Sequence, residues 1–359
     1  MAQAPAFDSL RSLRPAGPAP TVRPAVVNAM TVDVEDYYQV SAFERVVARE
    51  RWPEYESRVA ANTDRLLGIF AESGVRATFF VLGWVAERDA SIVRRIAAAG
   101  HEIASHGYGH RLVYDQKPEE FRDDVRRGRA LLQAASGQPV MGYRAPSFSI
   151  TGRSLWALDI LIEEGFTYDA SIFPIRHDRY GIPTAPRHAF WIGKGCCDAR
   201  LPPSRSALAW QAPPSRSALA WRPAPSPGGY GEASRPSDRP GLLEIPGSTI
   251  RLAGLNLPVG GGGYFRILPY WWTRTGIRRL NEKEGRPAIV YLHPWEVDPK
   301  QPRLAGSPLS RFRHYRNLEE TEARLRRLLA DFRFGPVEGT IVGASAEPTN
   351  AQGDSEESG

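Results

Sequence analysis

The stretch VRATFFVLGWVAERDASIVRRIAAAGHEIASHGYGH, residues 75–110, decides the fold class of this chain. Its first eight residues, 75–82, are mostly β-branched or aromatic, which is typical of a buried strand. Residues 90–99 then show helical spacing of isoleucines and stop at a glycine, as expected for an amphipathic helix. Residues 101–105 return to a short strand pattern. This order predicts two parallel strands connected by a helix that covers the sheet.

The same alternation continues towards the C-terminus. Further helices are predicted over 118–137, 151–165 and 317–333, and further strands over 140–143 and 288–293. Repeated units of this kind predict an α/β fold with a mostly parallel sheet. Such sheets carry their chemistry in the loops after the carboxyl ends of the strands, and the polar clusters of this chain fall there.

Three segments depart from this pattern. Proline accounts for 31 and glycine for 33 of the 359 residues, more than ordinary globular domains use. In one proline-rich stretch the nine residues PPSRSALAW at 202–210 recur at 213–221, which favours a duplicated loop insertion over a tryptophan-bearing docking segment. The sequence predicts a disordered N-terminal segment (1–27), a low-complexity insertion (199–240) and a disordered acidic tail (344–359).

Composition argues against several classes of protein. With 46 Lys and Arg against 40 Asp and Glu, the formal charge of +6 is too small for this length to indicate nucleic-acid binding. The two cysteines, Cys196 and Cys197, are adjacent, which rules out a disulfide framework. No apolar run approaches the roughly 18 residues of a membrane span, and residues 1–27 do not resemble a secretory signal. The prediction is a cytoplasmic protein, with a position peripheral to the inner membrane as the alternative.

The first polar cluster is Asp33-Val34-Glu35-Asp36, which follows an apolar stretch. Three carboxylates in four residues repel one another, so the cluster favours a bound cation or a carboxylate that works as a base. On an extended strand Asp33 and Glu35 face the same side, whereas a turn would bring in Asp36 instead. The alternative is an acidic helix N-terminus without catalytic function.

The second cluster is His106-Gly107-Tyr108-Gly109-His110, after the predicted strand 101–105. Imidazoles four residues apart can bind one metal ion, and imidazole suits zinc and its neighbours. Together with a carboxylate from an earlier strand they compose a metal site with open positions for water and substrate. The sequence therefore predicts a divalent metal, with Zn²⁺ expected.

Three further polar groups follow predicted strands: Arg144, Asp169 and His293. An arginine can hold a neighbouring carboxylate ionised, although a surface salt bridge would contribute only about 0–1 kcal/mol. A buried histidine is usually structural, whereas one that is hydrogen-bonded to an aspartate can act as a general acid. Polar clusters at five strand ends favour one shared catalytic site.

These motifs and their order resemble the NodB-homology polysaccharide deacetylases, the family-four carbohydrate esterases. The resemblance is most specific in SHGYGH (105–110), YRAPSFSIT (143–151), DASIFP (169–174) and LHPWEVDP (292–299). The runs GGGYFRILPYWW (261–272) and RFRHYRNLEETEARLRRLLADFRFGP (311–336) resemble an exosortase-associated exopolysaccharide deacetylase subgroup. The resemblance implies a distorted (β/α) barrel of the NodB-homology type with a C-terminal extension, over residues 28–343, and a divalent metal, usually zinc.

The resemblance also implies the roles of matching residues. They are the catalytic base Asp33, the arginine Arg144 that orients it, the catalytic histidine His293, the acid Asp169 that orients this histidine, and the metal ligands His106 and His110. The common family motif has two adjacent aspartates, but Val34 follows Asp33 here. The metal carboxylate is therefore Glu35 or Asp36, and strand alternation favours Glu35.

The third motif departs from the family at its substrate side. Ser147 stands where an aromatic residue is usual, and Phe148 follows, which keeps a backbone N–H for the oxyanion. The residues predicted to bind substrate are Tyr38, Tyr108, Ser147, Phe148 and Trp295. The aromatic side chains among them would stack on sugar rings, with ordinary core packing as the alternative for each.

The resemblance implies a metal-dependent hydrolase that removes N-acetyl groups from amino sugars of an exopolysaccharide and releases acetate. One alternative is a metal amidohydrolase of the same fold that acts on a small cyclic or linear amide. The other is a catalytically inactive carbohydrate-binding or assembly protein. The complete set of base, ligands and orienting residues argues against this second alternative, because a binding protein needs no such set.

Overall fold

A computed structural model describes residues 26–193 and 241–342. The insertion predicted over 199–240, the tail predicted over 344–359 and residues 1–25 of the predicted N-terminal segment lie outside the described residues. The first strand begins at Val27 and extends to Val34, so the first carboxylate of the acidic cluster lies within this strand.

The strands of the described ranges form one large sheet and one hairpin. The large sheet contains β1 (Val27–Val34), β2 (Thr78–Val81), β3 (Glu102–Ser105), β4 (Gly142–Tyr143), β5 (Tyr168–Asp169), β6 (Phe190–Gly193), β7 (Gly241–Glu244), β10 (Ile289–Leu292) and β11 (Arg333–Gly335), and the hairpin contains β8 (Thr249–Leu252) and β9 (Leu255–Pro258). The order is β10-β1-β2-β3-β4-β5-β7-β6, with β11 also paired to β1. All neighbours are parallel except β6 and β7.

The α/β class is confirmed, and the sheet stays open between β6 and β10 within the described ranges. The far edge of β10 is nevertheless covered. Gly261 forms a parallel bridge to Tyr291, and Ile289 N–H donates to Ser248 Oγ at 2.7 Å. The chain that follows β7 thus reaches the edge of β10, which is compatible with the distorted barrel that the sequence predicts.

Helices cover the sheet as the strand–helix alternation predicts. They are α1 (Val59–Glu72), α2 (Gly83–Arg88), α3 (Ala90–Ala98), α4 (Pro118–Ser136), α5 (Trp156–Glu163), α6 (Gly262–Ile267), α7 (Tyr270–Arg278), α8 (Pro308–Tyr315) and α9 (Leu318–Asp331). The predicted helix 151–165 begins only at Trp156, because Thr151 N–H donates to Ser154 Oγ at 2.9 Å and the chain forms a turn there. No helix of the described ranges combines the length and apolar character needed to cross a membrane.

The central strands are buried along almost their whole length. Every residue of β2 and β10 is buried, as are seven of the eight residues of β1. This is the pattern of parallel strands covered on both faces. Replacing a fully buried core residue such as Phe79 by alanine would cost about 3–5 kcal/mol. The core therefore gives the loops at the carboxyl edge a rigid support.

Candidate metal and catalytic site

The site lies at the carboxyl edge of the strands β10, β1, β2, β3 and β4, which are neighbours in this order. Asp33 lies near the end of β1, His106 follows β3, Arg144 follows β4 and His293 follows β10. Parallel strands end at one edge, so residues far apart in sequence meet here. Most of these side chains are buried, whereas that of His293 is 17% exposed.

Three side chains form a group that can hold a metal ion. Glu35, His106 and His110 each offer one ligand atom, and these atoms all lie within 4.8 Å of one another. Glu35 Oε2 lies 2.6 Å from His110 Nε2, although no hydrogen bond is formed to this buried oxygen within the described residues. Two such atoms at this distance share either a proton or a cation, so the donor set fits a divalent metal of the zinc type.

The protonation states of this group also suit a metal. Burial raises the pKa of Glu35, but His110, His293 and His106 outweigh it and lower the pKa to about 2. Burial lowers the pKa of His106 to about 4, so its imidazole is neutral at neutral pH. Ionised carboxylate and neutral imidazole are the forms that bind metal ions.

The orientation of His106 is set by the backbone after β4. Its Nδ1 lies 2.8 Å from the carbonyl oxygen of Arg144, a hydrogen bond that leaves Nε2 free to bind a metal. His110 has a left-handed backbone with φ of 50°. Such a conformation costs about 1–3 kcal/mol in a non-glycine residue and is found preferentially at functional sites.

The loop between the two histidines is held by a carboxylate that sequence reasoning missed. Asp124 of α4 accepts hydrogen bonds from the N–H groups of Tyr108 at 2.7 Å and Gly109 at 3.1 Å. Gly107 has φ of +74°, and a Cβ there would lie 2.6 Å from Asp124 Oδ2. No short motif links Asp124 to the loop, because the contact depends on how α4 packs against it.

Asp33 is paired with Arg144, as the resemblance implies. Arg144 Nη1 donates to Asp33 Oδ1 at 2.6 Å and to Thr31 Oγ1 at 2.9 Å. Its Nε donates to Ala170 O at 3.2 Å, and its guanidinium lies 4.1 Å from the ring centroid of Phe80. The arginine therefore fixes one oxygen of Asp33 and leaves the other facing the site.

His293 completes the site from the opposite side. Its Nε2 lies 3.6 Å from Glu35 Oε1 and 3.9 Å from Asp33 Oδ2, and its Nδ1 lies 3.4 Å from Glu296 Oε1. Burial by itself lowers the pKa of His293, but the carboxylates of Glu296, Glu35 and Asp33 raise it to about 9. A protonated histidine that faces Asp33 can act as a general acid.

The structure places Asp36 apart from the metal group. Asp36 Oδ2 accepts hydrogen bonds from Ser57 Oγ at 3.0 Å, Arg58 N–H at 2.8 Å and Val59 N–H at 3.1 Å, at the start of α1. The helix-terminal function considered for the acidic cluster therefore applies to Asp36 alone. Between the two predicted metal carboxylates the geometry selects Glu35.

The predicted contact between Asp169 and His293 is wrong. Asp169 lies beside Glu244, a buried residue of β7. Ser171 Oγ donates to Asp169 Oδ1 at 2.5 Å. Asp33, Glu35 and Glu296 are the acidic residues within ion-pair distance of His293 in the described ranges. Asp169 ends β5, whose carboxyl end lies away from β10 in the sheet order, and this separation explains the difference.

Two of the aromatic residues predicted to bind substrate, Tyr38 and Tyr108, differ in their burial. Tyr38 is 2% exposed and stacks on Tyr55, and Tyr108 donates to Glu87 beneath the guanidinium of Arg127. Core packing, the alternative stated for each residue, therefore describes Tyr38 better, whereas Tyr108 is half-buried beside exposed side chains and its contact with substrate stays a prediction.

The other three predicted substrate residues lie closer to the catalytic groups. Trp295 is buried and stacks on the rings of His293 and His314, and its Nε1 donates to Glu35 Oε1 at 3.3 Å. Ser147 and Phe148 both have left-handed backbones, with φ of 52° and 53°, in the turn after Arg144. Phe148 is 5% exposed and packs against Phe173 and Tyr291, while Ser147 Oγ lies 2.8 Å from Ser41 Oγ.

Comparison with known families agrees with this geometry. A family model described as "Polysaccharide deacetylase" matches residues 53–161, which include His106, His110 and Arg144. The chain is similar to this family over these 109 of its 359 residues. A second model, "Domain of unknown function (DUF3473)", matches residues 211–341, which include His293. The site thus combines residues of both matched segments with Asp33 and Glu35, which precede them.

Curated polysaccharide deacetylases match the chain over about a hundred residues. The peptidoglycan-N-acetylglucosamine deacetylase of Bacillus cereus is 33% identical over 98 residues, which are 27% of this chain and 36% of that protein. A chitooligosaccharide deacetylase of Bradyrhizobium sp. is 28% identical over 99 residues, 28% of this chain and 43% of that protein. The chain therefore spans less than half the length of these relatives.

A solved structure aligns over a longer part of the chain. The Bc1960 peptidoglycan N-acetylglucosamine deacetylase aligns with a TM-score of 0.43 and 14% identity, over 89% of this chain and 90% of that chain.

Proposed function

We propose that this chain is a metal-dependent deacetylase that removes N-acetyl groups from the amino sugars of an exopolysaccharide and releases acetate. The observation that carries the proposal is that three groups of side chains lie together at one edge of the sheet. These are the metal group of Glu35, His106 and His110, the buried pair Asp33–Arg144, and His293 within 4 Å of both carboxylates. Amide hydrolysis needs these three elements: an electrophile, a base for water and an acid for the leaving amine.

A divalent metal bound by the group of three would polarise the acetamide carbonyl and acidify a water molecule. Asp33 would take the proton of this water through Oδ2, the oxygen that faces His293. Arg144 holds Oδ1 and prevents the carboxylate from turning away. The backbone N–H near Ser147 would stabilise the oxyanion, a contribution worth about 3–4 kcal/mol where it has been measured in other enzymes.

His293 would protonate the departing amine. Its Nε2 lies on the side of Asp33 and Glu35, whereas Nδ1 faces Glu296. As the C–N bond breaks, its electron pair passes to nitrogen, which takes the proton from Nε2. The carboxylates of Glu296 and Asp33 beside the ring favour its protonated form.

The test of the proposal is acetate release by the full chain from N-acetylated oligosaccharides. His106→Ala and His110→Ala are expected to lose metal and turnover together, whereas His293→Ala loses turnover and keeps metal. Undiminished activity in metal-stripped protein would contradict the scheme. A parallel panel of cyclic imides and small linear amides distinguishes a deacetylase from an amidohydrolase of the same fold.

The exopolysaccharide rests on the resemblance of residues 261–272 and 311–336 to the exosortase-associated subgroup. The proposal includes zinc as the metal and the cytoplasm as the location. Mass spectrometry of the cell's own exopolysaccharide, with and without this protein, tests the substrate directly. An unchanged acetylation pattern would contradict it. Glycan affinity without acetate release, measured by titration calorimetry, would instead favour an inactive binding protein.

A further inference from the structure

Glu296 is the carboxylate that contacts His293 on the side away from the metal group. Its Oε1 lies 3.4 Å from His293 Nδ1, an ion-pair contact in which Nδ1 forms no hydrogen bond within the described residues. Its Oε2 accepts a hydrogen bond from His293 N–H at 3.4 Å. The two residues are joined by a short turn, Pro294–Val297, in which Glu296 N–H donates to His293 O at 3.0 Å. Glu296 is fully buried, so its charge needs a partner in the protein.

That partner is Arg266 of α6. Arg266 Nε donates to Glu296 Oε1 at 3.0 Å, and the arginine is itself 2% exposed. Burial raises the pKa of Glu296, but Arg266 and His293 outweigh it and lower the pKa, so the carboxylate is ionised. The same oxygen therefore joins Arg266 to His293.

Arg266 is fixed by the end of another helix. Its remaining N–H groups donate to the carbonyl oxygens of His314 at 2.8 Å, Arg313 at 3.0 Å and Arg316 at 3.1 Å, at the C-terminus of α8. Carbonyls at a helix C-terminus are unpaired and partially negative, so they favour a buried cation. Asn317 Nδ2 in turn donates to Arg266 O at 2.8 Å.

These contacts form a continuous chain from α8 through Arg266 and Glu296 to His293. Arg266, Glu296 and His293 all lie within 211–341, the segment matched by the domain of unknown function. The ring of Trp295 stacks on that of His293 with 5.0 Å between centroids, and the ring of His314 also stacks on Trp295, at 4.0 Å. The segment thus supplies the histidine, the carboxylate at its Nδ1 and the tryptophan ring stacked on it.

We propose that Glu296, held by Arg266, is the positioning residue that keeps a proton on Nδ1 of His293 and aims Nε2 at the leaving amine. This inference rests on the function proposed above, and it gives the described part of the segment 211–341 a direct part in the reaction. A carboxylate behind a histidine selects its tautomer and stabilises its charged form. Glu296 takes this place instead of Asp169.

The experiment compares two substrates whose leaving groups differ. An N-acetylated oligosaccharide releases an amine that must be protonated, whereas 4-nitrophenyl acetate releases a phenolate that leaves without a proton. Glu296→Gln is expected to lower kcat on the oligosaccharide by on the order of 10- to 100-fold, with KM, metal content and kcat on the aryl ester nearly unchanged. Arg266→Met should show the same selective loss, and Glu319→Gln, an exposed change on α9, is the matched control.

Two results would overturn the proposal: an equal loss on both substrates, which marks a structural function, or no loss on the oligosaccharide. Proton NMR tests the contact between His293 and Glu296 without any substrate, so it separates a failure of this inference from a failure of the proposed function. A proton held between His293 Nδ1 and a carboxylate gives a far-downfield resonance, expected in the wild type and absent in His293→Ala and Glu296→Gln. If the wild type releases no acetate from any oligosaccharide, the deacetylase assignment fails, while this resonance still decides the function of Glu296.

Discussion

Arg144 donates a hydrogen bond to Asp33 at 2.6 Å, and both side chains are almost fully buried. The pair joins the ends of β1 and β4, which are separated in the sheet by β2 and β3. Arg144 also donates to Ala170 O, just after β5, at 3.2 Å. The orientation of the proposed base is therefore set by the sheet itself rather than by a flexible loop.

Arg144→Lys is expected to lower kcat by about 10- to 100-fold and to leave metal content unchanged, because lysine keeps the charge but not the planar fork. Arg144→Met would leave Asp33 buried without a partner, which costs about 3–5 kcal/mol of unfolding free energy. Steady-state kinetics and urea denaturation measure the two effects. Arg94→Lys, an exposed change on α3, is the control. Wild-type kcat in Arg144→Lys would contradict the orienting function.

Glu35→Ala and Asp36→Ala are expected to have opposite consequences. Glu35→Ala should lose bound metal after dialysis, because it removes one of three ligands. Asp36→Ala should keep the metal and lower the free energy of unfolding by about 0.5–2 kcal/mol, because it removes the acceptor at the start of α1. Metal analysis and urea denaturation on both variants measure these effects. If Asp36→Ala lost the metal and Glu35→Ala kept it, Asp36 rather than Glu35 would be the metal ligand.

Much of the fold was predictable because its signals are local. The strand at 78–81, the helix at 90–98 and the strand at 102–105 lie within the stretches that hydrophobic spacing predicted. Strand β4 (142–143) lies within the predicted strand 140–143, whereas β5 is only two residues long and was not predicted, because no periodicity can define so short an element. The hairpin β8–β9 was not predicted either.

The candidate site was predicted to the extent that its residues follow strands. His106, Arg144 and His293 were found because parallel strands end at one edge. Asp124 and Arg266 were missed, since their contacts depend on helix packing that no spacing encodes. Glu296 was missed although it is only three residues from His293, because the sequence does not show that the chain turns there. The contact of Asp169 with His293 was predicted wrongly because a motif indicates that a residue lies at a strand end but does not indicate which side chain it contacts.

Gly107→Ala is expected to damage the metal site without touching a ligand. The glycine has a left-handed backbone, and an alanine Cβ would lie 2.6 Å from Asp124 Oδ2, which holds the loop between the histidines. We expect weaker metal affinity and a loss of about 1–3 kcal/mol in unfolding free energy. Gly109→Ala is the matched control, because its Cβ would meet Asp124 only at 3.7 Å. Equal metal affinity in the two variants would contradict this function of Gly107.

The buried pair Asp169–Glu244 predicts a pH dependence of stability. Burial raises the pKa of Asp169 to about 6, and burial with the nearby Asp169 charge raises that of Glu244 well above its ordinary value. The folded protein therefore holds protons that the unfolded chain releases near pH 4, and the pair's contribution to stability falls as pH rises from about 4 through 6 and beyond.

Glu244→Gln tests this, because an amide can still accept from Ile172 N–H and donate to Asp169 but does not titrate. Urea denaturation between about pH 5 and 8 should show a smaller fall in unfolding free energy for the variant than for the wild type, and a more stable variant at the upper end. Glu319→Gln, exposed on α9, should follow the wild-type curve, which separates the buried pair from the other groups that titrate in this range. If Glu244→Gln also follows the wild-type curve, the pair does not share a proton, and a group other than Glu244 determines the ionisation of Asp169.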